Sequence, residues 1–350
     1  MRRRTNRKKH KNTKIIIGTI GLLLFLTVGY AAFSTNLSLK AKGNIEDRHD
    51  LYVSSKGSDT TGNGTKEKPY KTVNKAYDSA WDNAIIWIMD NITVDETIEF
   101  DEEKTITLTS ETNEVNSLLR GAEDKVILQV TGDGEVTLTN ITLDGQNKEA
   151  NYSLLRADQS TVNLNEGTTI QNNVDTVDYG GGIILFTNAV MNINGAKIIN
   201  NKALAGGGGA IIARHSTLTI NSGELSGNSA NNGGAIFFGD LDGLLTLNGG
   251  TITKNTATSS GGGAIVVAGA NMIMNGGEIT YNTALQSYGG GIRLTVVQNY
   301  DNLSTLTIKN GTISNNTAAD GGGIYVNPGH TYNYIGGTIT NNTPNNVKQA

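Results

Sequence analysis

The chain has 350 residues, of which 44 are Gly, 3 are Pro and none is Cys, and its formal net charge is −4. The lack of Cys excludes a disulfide scaffold and cysteine-ligated zinc or iron–sulfur sites. Gly has no three-residue period and Pro is scarce, which excludes collagen, and a hydrophobic content of 37% argues against disorder throughout.

The N-terminal end carries an export signal or a membrane anchor. Residues 1–14 contain eight Lys and Arg and no acidic residue, and the uncharged apolar segment 15–33 follows directly. That segment is long enough to cross a hydrocarbon core of about 30 Å as a helix, and the basic tail before it indicates a cytoplasmic N-terminus. A cleaved signal peptide, with Gly29 and Ala31 as the small residues before the cut, and an uncleaved transmembrane anchor both fit. The stretch from Tyr30 to Asn36 resembles signal peptides of exported Gram-positive bacterial proteins, so we expect the rest of the chain to lie on the extracellular side of a bacterial membrane.

Without the basic tail, 20 Lys and Arg remain against 32 Asp and Glu. Such an acidic remainder disfavours nucleic acid as a partner, because phosphate contacts need clustered basic residues.

The region between the membrane segment and the first repeats is predicted as a linker followed by a cap. Residues 34–50 are polar and unpatterned, and residues 51–83 contain a short strand, a Gly- and Asn-rich loop and one helix. Thr72 is the expected N-cap of this helix, which runs to about Trp81. Its buried face is expected to contain Val73, Ala76, Tyr77 and Ala80. From residue 84 onward the pattern predicts strands and no further helix.

Internal repeats with a period near 27 residues dominate the rest of the chain. A Gly run followed by Ile recurs six times, with the isoleucines at Ile183, Ile211, Ile236, Ile265, Ile292 and Ile324. Independently, an apolar residue three places before an Asn recurs seven times, with the asparagines at Asn173, Asn201, Asn228, Asn255, Asn282, Asn316 and Asn342. Because two unrelated anchors keep one period, we predict a repeat architecture.

Each repeat holds three short apolar stretches separated by turns, which is too short for a propeller blade and lacks the helices or leucine pattern of other repeat classes. We therefore predict an all-β solenoid over 84–346, a parallel β-helix of about 27 residues per coil with a tail at 347–350. Stacked coils place equivalent strands about 4.8 Å apart.

The Gly-Gly-Ala-Ile and Ile-x-x-Asn-x-Ala elements resemble the repeats of polymorphic outer-membrane proteins, and the segment 52–76 resembles the N-terminal cap of pectin-lyase-like β-helix proteins. This resemblance implies a right-handed parallel β-helix with a short capping helix. It implies no single function, because this fold hosts lyases, hydrolases, adhesins and inert spacers.

The repeated residues have structural explanations. Stacked Asn amides at a coil corner are expected to form a ladder of hydrogen bonds, and the alternative is a ligand-binding row. We expect the Gly runs to allow positive φ and close backbone approach at the corners. The alternative, a phosphate-binding loop, is disfavoured because such a loop requires a following helix. An ice-binding Thr row through Thr251 is disfavoured, because Lys197, Glu224 and Glu278 occupy equivalent places.

A catalytic site is not evident in the sequence. A lyase or hydrolase on a β-helix needs clustered carboxylates or a carboxylate-held Ca²⁺, and we find no stacked pair, since Glu224 and Glu278 are two coils apart. We therefore predict no catalytic residue, metal site or cofactor, with Ca²⁺ as the one ion considered.

Candidate ligand contacts follow the strands instead. They are Arg214, His215, Asp240 and Asp242 on adjacent coils, Arg293 on a later coil, and Tyr300 in an expanded coil. Arg120 and Arg156 follow matching Ser-Leu-Leu segments, and with Arg293 they are interpreted as scattered surface arginines in preference to a basic edge for anionic glycans.

These features predict an exported, surface-associated and non-catalytic module, adhesin-like or structural, that binds polysaccharides or cell-surface macromolecules. The alternative is a polysaccharide lyase or glycoside hydrolase. An uncleaved segment 15–33 would add the membrane as a partner.

Overall fold

From Asp50 onward the chain alternates short strands with tight turns. The structure, a computed structural model, describes residues 48–111, 114–177, 180–239, 243–296 and 302–350. The predicted basic tail 1–14, the apolar segment 15–33 and most of the linker 34–50 lie outside these ranges. Within them, no helix is both long and apolar enough to span a membrane.

The elements in chain order are β1 (Asp50–Val53), α1 (Val73–Ser79), β2 (Ala84–Ile88), β3 (Ile92–Val94), β4 (Ile98–Phe100), β5 (Thr105–Ser110), β6 (Asn116–Arg120), β7 (Leu128–Val130), β8 (Glu135–Thr139), β9 (Ile141–Asp144), β10 (Glu149–Ala150), β11 (Leu155–Asp158), β12 (Thr161–Asn165), β13 (Thr169–Gln171), β14 (Val174–Asp175), β15 (Ile183–Phe186), β16 (Val190–Ile199), β17 (Lys202–Gly207), β18 (Ile211–Arg214), β19 (Thr217–Ser226), β20 (Ser229–Asn232), β21 (Ile236–Gly239), β22 (Leu244–Leu247), β23 (Thr251–Thr253), β24 (Thr256–Gly261), β25 (Ile265–Ala268), β26 (Asn271–Met274), β27 (Glu278–Thr280), β28 (Thr283–Ala284), β29 (Ile292–Thr295), β30 (Thr305–Ile308), β31 (Thr312–Ser314), β32 (Ile324–Val326), β33 (Thr331–Tyr334), β34 (Thr338–Thr340) and β35 (Val347–Gln349).

These strands form a parallel β-solenoid of about nine turns with about 27 residues per turn, which confirms the predicted architecture. Within the described ranges, the strands fall into a 19-stranded, a ten-stranded and a six-stranded sheet. The ten-stranded sheet runs from β4 through β18, β21, β25 and β29 to β35, and the six-stranded sheet from β10 to β28. The coils that contain β10 to β28 contribute to all three sheets, and hydrogen bonds between coils satisfy the backbone polar groups of the strands.

The 19-stranded sheet contains two rows of strands, because each coil crosses it twice. The first row includes β5, β8, β12, β22, β26 and β30, and the second includes β6, β9, β13, β23, β27 and β31. β16 and β19 are long enough to belong to both rows, and their pairing shifts register between Ile193 and Lys197. The bend between the rows therefore coincides with a β-bulge.

The core is a narrow stack of aliphatic side chains from alternate strand residues. The isoleucines that follow the Gly runs occupy one inward column of the ten-stranded sheet, and all six are fully buried. β35, which falls in the predicted tail 347–350, continues this column with Val347 paired to Ile324. The Ile that follows each Gly run in the sequence is therefore a residue of the hydrophobic core.

The predicted Asn ladder is present and buried. The seven asparagines are between 0% and 7% exposed. At the centre, Asn255 Nδ2 donates to Asn282 Oδ1 at 2.9 Å and to the Leu225 carbonyl at 3.0 Å, while Asn255 Oδ1 accepts from Asn228 N at 2.9 Å and from Asn228 Nδ2 at 3.0 Å. Each amide thereby satisfies backbone groups of neighbouring coils, which makes its role structural.

Both ends of the ladder have a partner. Asn346 takes the place of a further coil, because its Oδ1 accepts from Asn342 N at 3.1 Å and from Asn342 Nδ2 at 3.0 Å. At the opposite end Arg120 Nη2 donates to Asn173 Oδ1 at 3.0 Å and to the carbonyls of Tyr152 and Ser153, each at 2.9 Å. Burial lowers the pKa of Arg120 to about 10.

Arg120 therefore belongs to the interior, and the sequence interpretation of it as a surface arginine is wrong. The matching Ser-Leu-Leu segments misled that interpretation, because Arg120 ends β6 in the 19-stranded sheet whereas Arg156 lies in β11 of the ten-stranded sheet. Arg120 is fully buried, while Arg156 is partly exposed.

The coil corners show why Gly recurs in pairs. Gly262 has φ +66°, which L side chains rarely adopt, and a Cβ on Gly263 would lie 2.2 Å from the Gly290 carbonyl oxygen of the next coil. These two observations confirm the predicted roles of the Gly runs, namely positive φ and close backbone approach.

Helix α1 packs against the first coil as predicted. Thr72 is its N-cap, with Oγ1 accepting from Lys75 N at 3.2 Å. Val73, Ala76 and Tyr77 are buried, and the Tyr77 ring meets Phe100 of β4 edge to face at a centroid distance of 4.7 Å.

Candidate functional site

A groove crosses the outer face of the ten-stranded sheet over four successive coils. Its floor contains Phe237 and Val266, which are adjacent in register and follow the inward isoleucines by one residue. Arg214 of β18 and Arg293 of β29 lie toward its two ends, three strand spacings (about 14 Å) apart across the sheet and two residues apart along the strands. The cavity has a volume of about 320 Å³. The remaining lining residues are Asn232, Ser260, Thr295 and Val296.

The side wall of this groove is formed by the ends of the six-stranded sheet, where β20 and β24 contribute Asn232 and Ser260. Gly207 packs so closely that a Cβ there would lie 3.0 Å from the Phe237 ring. The wall therefore covers one edge of the apolar floor and leaves the other edge open to solvent.

Arg293 is held in place by several contacts. Its Nη1 donates to the Ser260 carbonyl, its Nε lies 3.5 Å from Asn327 Oδ1, and its guanidinium lies 5.5 Å from the centroid of the Tyr288 ring. Tyr288 in turn stacks on Tyr325 with ring centroids 4.5 Å apart. Burial lowers the pKa of Arg293 below its usual value, but a guanidinium stays charged at neutral pH. The result is a fixed cation beside an aromatic pair in which Tyr288 is exposed and Tyr325 partly exposed.

The other predicted contact residues are distributed differently. Arg214 is exposed at the end of β18, and His215 follows it in a left-handed turn with φ 47°. His215 is exposed and does not line the groove. Asp240, Asp242 and Tyr300 lie outside the described residues. The structure thus brings together Arg214 and Arg293 among the six candidates.

Sequence reasoning missed the groove floor and the aromatic pair. The signal was available, because the residue after each anchoring Ile must point outward on a strand. Phe237, Val266, Arg293 and Tyr325 all occupy that place in successive coils.

A larger cavity, of about 680 Å³, lies beside the cap between the loop before α1 and the turn after β3. It contains Asp59, Asp95 and Glu96. Asp59 has a structural role, because both of its carboxylate oxygens accept hydrogen bonds. Its Oδ1 accepts from Lys71 N at 2.8 Å and its Oδ2 accepts from Thr72 Oγ1 at 2.9 Å.

The two glutamates compared in the sequence, Glu224 and Glu278, are separated as expected. Glu224 pairs with Thr251, which pairs with Glu278, so the two glutamates are two coils or about 9.6 Å apart along the sheet. Across the described part of the chain, no group of three His, Asp or Glu side chains could hold a metal ion. No protein-family model, no curated protein and no solved structure matches this chain.

Proposed function

We propose that the chain is an exported, surface-associated module that binds acidic glycans or other anionic macromolecules without transforming them. The observation that carries this proposal is the convergence of Arg214 and Arg293 on one groove with an apolar floor. Export is supported by the basic tail and the uncharged segment 15–33. We further propose that the solenoid is a right-handed parallel β-helix related to pectin-lyase-like proteins, supported by the Gly-Gly-Ala-Ile and Ile-x-x-Asn-x-Ala elements.

The groove suits an extended chain better than a compact molecule. It crosses four coils, and each of its two guanidiniums can engage one negative group of the ligand. Between them the partly exposed ring of Phe237 offers apolar contact to the face of a sugar ring, whereas Val266 is only 2% exposed. The fixed Arg293 binds without losing much side-chain freedom, which favours affinity.

The test measures binding of the full-length protein to soluble polygalacturonate and, as an uncharged comparison, to dextran. We expect saturable binding to polygalacturonate and no binding to dextran. Arg214→Gln or Arg293→Gln should weaken polygalacturonate binding about tenfold, because each removes a charge-assisted hydrogen bond. Lys202→Gln is the matched control, because Lys202 is an exposed cation on β17 away from the groove. Equal loss in all three variants, or no binding by the unaltered chain, contradicts the proposal.

The same incubation separates binding from catalysis. A lyase would release an unsaturated uronate with ultraviolet absorbance. Turnover that disappears in Arg214→Ala would replace the non-catalytic proposal with an enzymatic one.

A further inference from the structure

The outer face of the first row of the 19-stranded sheet differs from the groove. Eight consecutive coils from β5 to β30 present two outward columns there, aligned by register over about 34 Å. We call these residues the neutral face. One column contains Thr107, Thr137, Asn163, Asn192, Thr219, Thr246, Ile273 and Thr307, and the other contains Thr105, Glu135, Thr161, Val190, Thr217, Leu244, Asn271 and Thr305.

The neutral face has one charged residue, Glu135. Three of its coils, with β5, β8 and β12, lie in residues 48–179, which contain 24 Asp and Glu against 11 Lys and Arg, and the other five lie in residues 180–350, which contain 6 and 7. All residues of the first column are partly exposed, so they form a surface and not a core. A flat, nearly uncharged surface fits an uncharged partner, because a charged one would lose hydration there without gaining an ion pair.

The edge of the neutral face is ordered by a second Asn ladder that the sequence analysis missed. Asn221 Nδ2 donates to Asn194 Oδ1, Asn248 Nδ2 to Asn221 Oδ1, and Asn275 Nδ2 to Asn248 Oδ1, each at 2.8 Å. Asn194 Nδ2 continues the row to Asn165 Oδ1 at 3.1 Å. Asn221, Asn248 and Asn275 are exposed. Each amide nitrogen retains a second N–H, so the ladder presents donors in fixed orientation at the coil spacing.

The neutral face repeats at the spacing of the coils, about 4.8 Å. Repetition over eight coils allows many weak contacts to add, provided that the partner is itself ordered and flat. Because the side chains are held by strands and by the ladder, little conformational freedom is lost on contact.

We propose that the neutral face binds the ordered surface of a neutral polysaccharide, in which hexose chains pack side by side. Hydroxyl edges of the sugars would meet Thr and Asn groups, and apolar ring faces would meet Val190, Leu244 and Ile273 of the middle coils. The same aliphatic residues disfavour an ice lattice as the partner, because they interrupt the Thr hydroxyls on successive coils.

This inference shares the premise of glycan binding with the proposed function but uses another surface. The experiment is co-sedimentation of the full-length protein with microcrystalline cellulose and with chitin. The test variant is the pair Thr219→Lys and Thr246→Lys on adjacent coils of the neutral face. The matched control is the pair Ser226→Lys and Thr253→Lys on the second row of the same coils, at positions that are also partly exposed.

We expect the unaltered protein to sediment with at least one of the two polymers, the neutral-face pair to lose binding at least tenfold, and the control pair to stay within twofold. Thermal unfolding of each variant verifies the fold, and the single Thr246→Lys serves if the pair does not fold. Failure of the unaltered chain to bind either polymer, equal losses in both pairs, or adsorption to growing ice without polysaccharide binding would each overturn the proposal.

Arg293→Gln separates the two surfaces. We expect it to leave sedimentation with cellulose or chitin unchanged while it weakens polygalacturonate binding. A protein that binds the insoluble polymer but no polygalacturonate would retain the neutral-face inference and remove the proposed function. Loss of cellulose or chitin binding in Arg293→Gln would contradict the neutral face.

Discussion

A single backbone conformation recurs at the corner before each Asn of the buried ladder. The residue there has φ near +56° whatever its side chain, and Gly227, Lys254 and Tyr281 occupy it in consecutive coils with φ 65°, 55° and 56°. Only Gly adopts this region without steric cost, and Asn tolerates it better than most residues. The corner therefore tolerates unfavourable residues because the stacked coils on both sides impose its geometry.

We expect Lys254→Gly to stabilise the protein by about 0.5–1 kcal/mol, since relief of the left-handed strain exceeds the added freedom of Gly in the unfolded chain. Gly227→Ala is the reverse experiment. Its added Cβ would approach Asn200 Oδ1 to 2.5 Å at φ +65°, so the variant should unfold at a lower temperature. Equal melting temperatures for Lys254→Gly and the unaltered chain would show that strain at this corner does not limit stability.

His330 makes stability depend on pH. Its Nδ1 accepts a hydrogen bond from Ser304 N at 2.8 Å, which requires the unprotonated nitrogen. Burial and, to a lesser extent, the positive charge of Arg293 lower the pKa of His330.

Because the folded pKa lies below the unfolded value of about 6.5, the unfolded chain binds the proton more readily. The contribution of His330 is therefore complete above about pH 6.5 and is lost as the pH falls through the folded pKa. Melting temperatures between pH 4 and pH 8 check this, with His330→Gln as the comparison. If His330→Gln loses stability on acidification as steeply as the unaltered chain, the pH dependence of stability comes from other groups.

At the scale of elements, the two Asn ladders have the same chemistry but different surroundings. Asn255 is fully buried and Asn248 is exposed. Replacing Asn255 by Leu leaves buried amide and carbonyl groups of two neighbouring coils without partners, whereas water replaces the lost partners of Asn248.

We expect Asn255→Leu to lower the free energy of unfolding by about 3 kcal/mol or more, because several buried groups lose hydrogen bonds at once. The matched substitution Asn248→Leu should cost less than about 1 kcal/mol. Denaturant titration of both variants measures the difference. Similar losses would mean that burial does not distinguish the ladders.

The strands of the coils were predictable because two anchors keep one period, and both mark buried residues. The outer ladder was missed although Asn194, Asn221, Asn248 and Asn275 are 27 residues apart. Each of these asparagines directly follows a buried apolar residue, namely Ile193, Ile220, Leu247 or Met274, so strand alternation already separates the exposed row from the buried one. The groove could be predicted only in part, since it depends on which coil ends fold over the sheet beside Phe237.

At the scale of the whole molecule, charge is divided along the solenoid. Residues 48–179 contain 24 acidic and 11 basic residues, while residues 180–350 contain 6 and 7. The candidate groove lies in the second, nearly neutral part, where an anionic ligand meets less repulsion. The net charge of the whole chain does not show this difference, which appears only when the charges of the two parts are counted separately.

The buried Asn ladder also gives the solenoid an electrical direction. From Asn201 to Asn342 every amide oxygen accepts from the preceding coil and every Nδ2 donates to the next Asn of the row, so these side-chain dipoles add along the axis, as peptide dipoles do in a helix. The negative end of this column is Asn173, and the guanidinium of Arg120 lies against it. The positive charge of Arg120 therefore lies at the negative end of the aligned amides, where it favours their polarisation along the column.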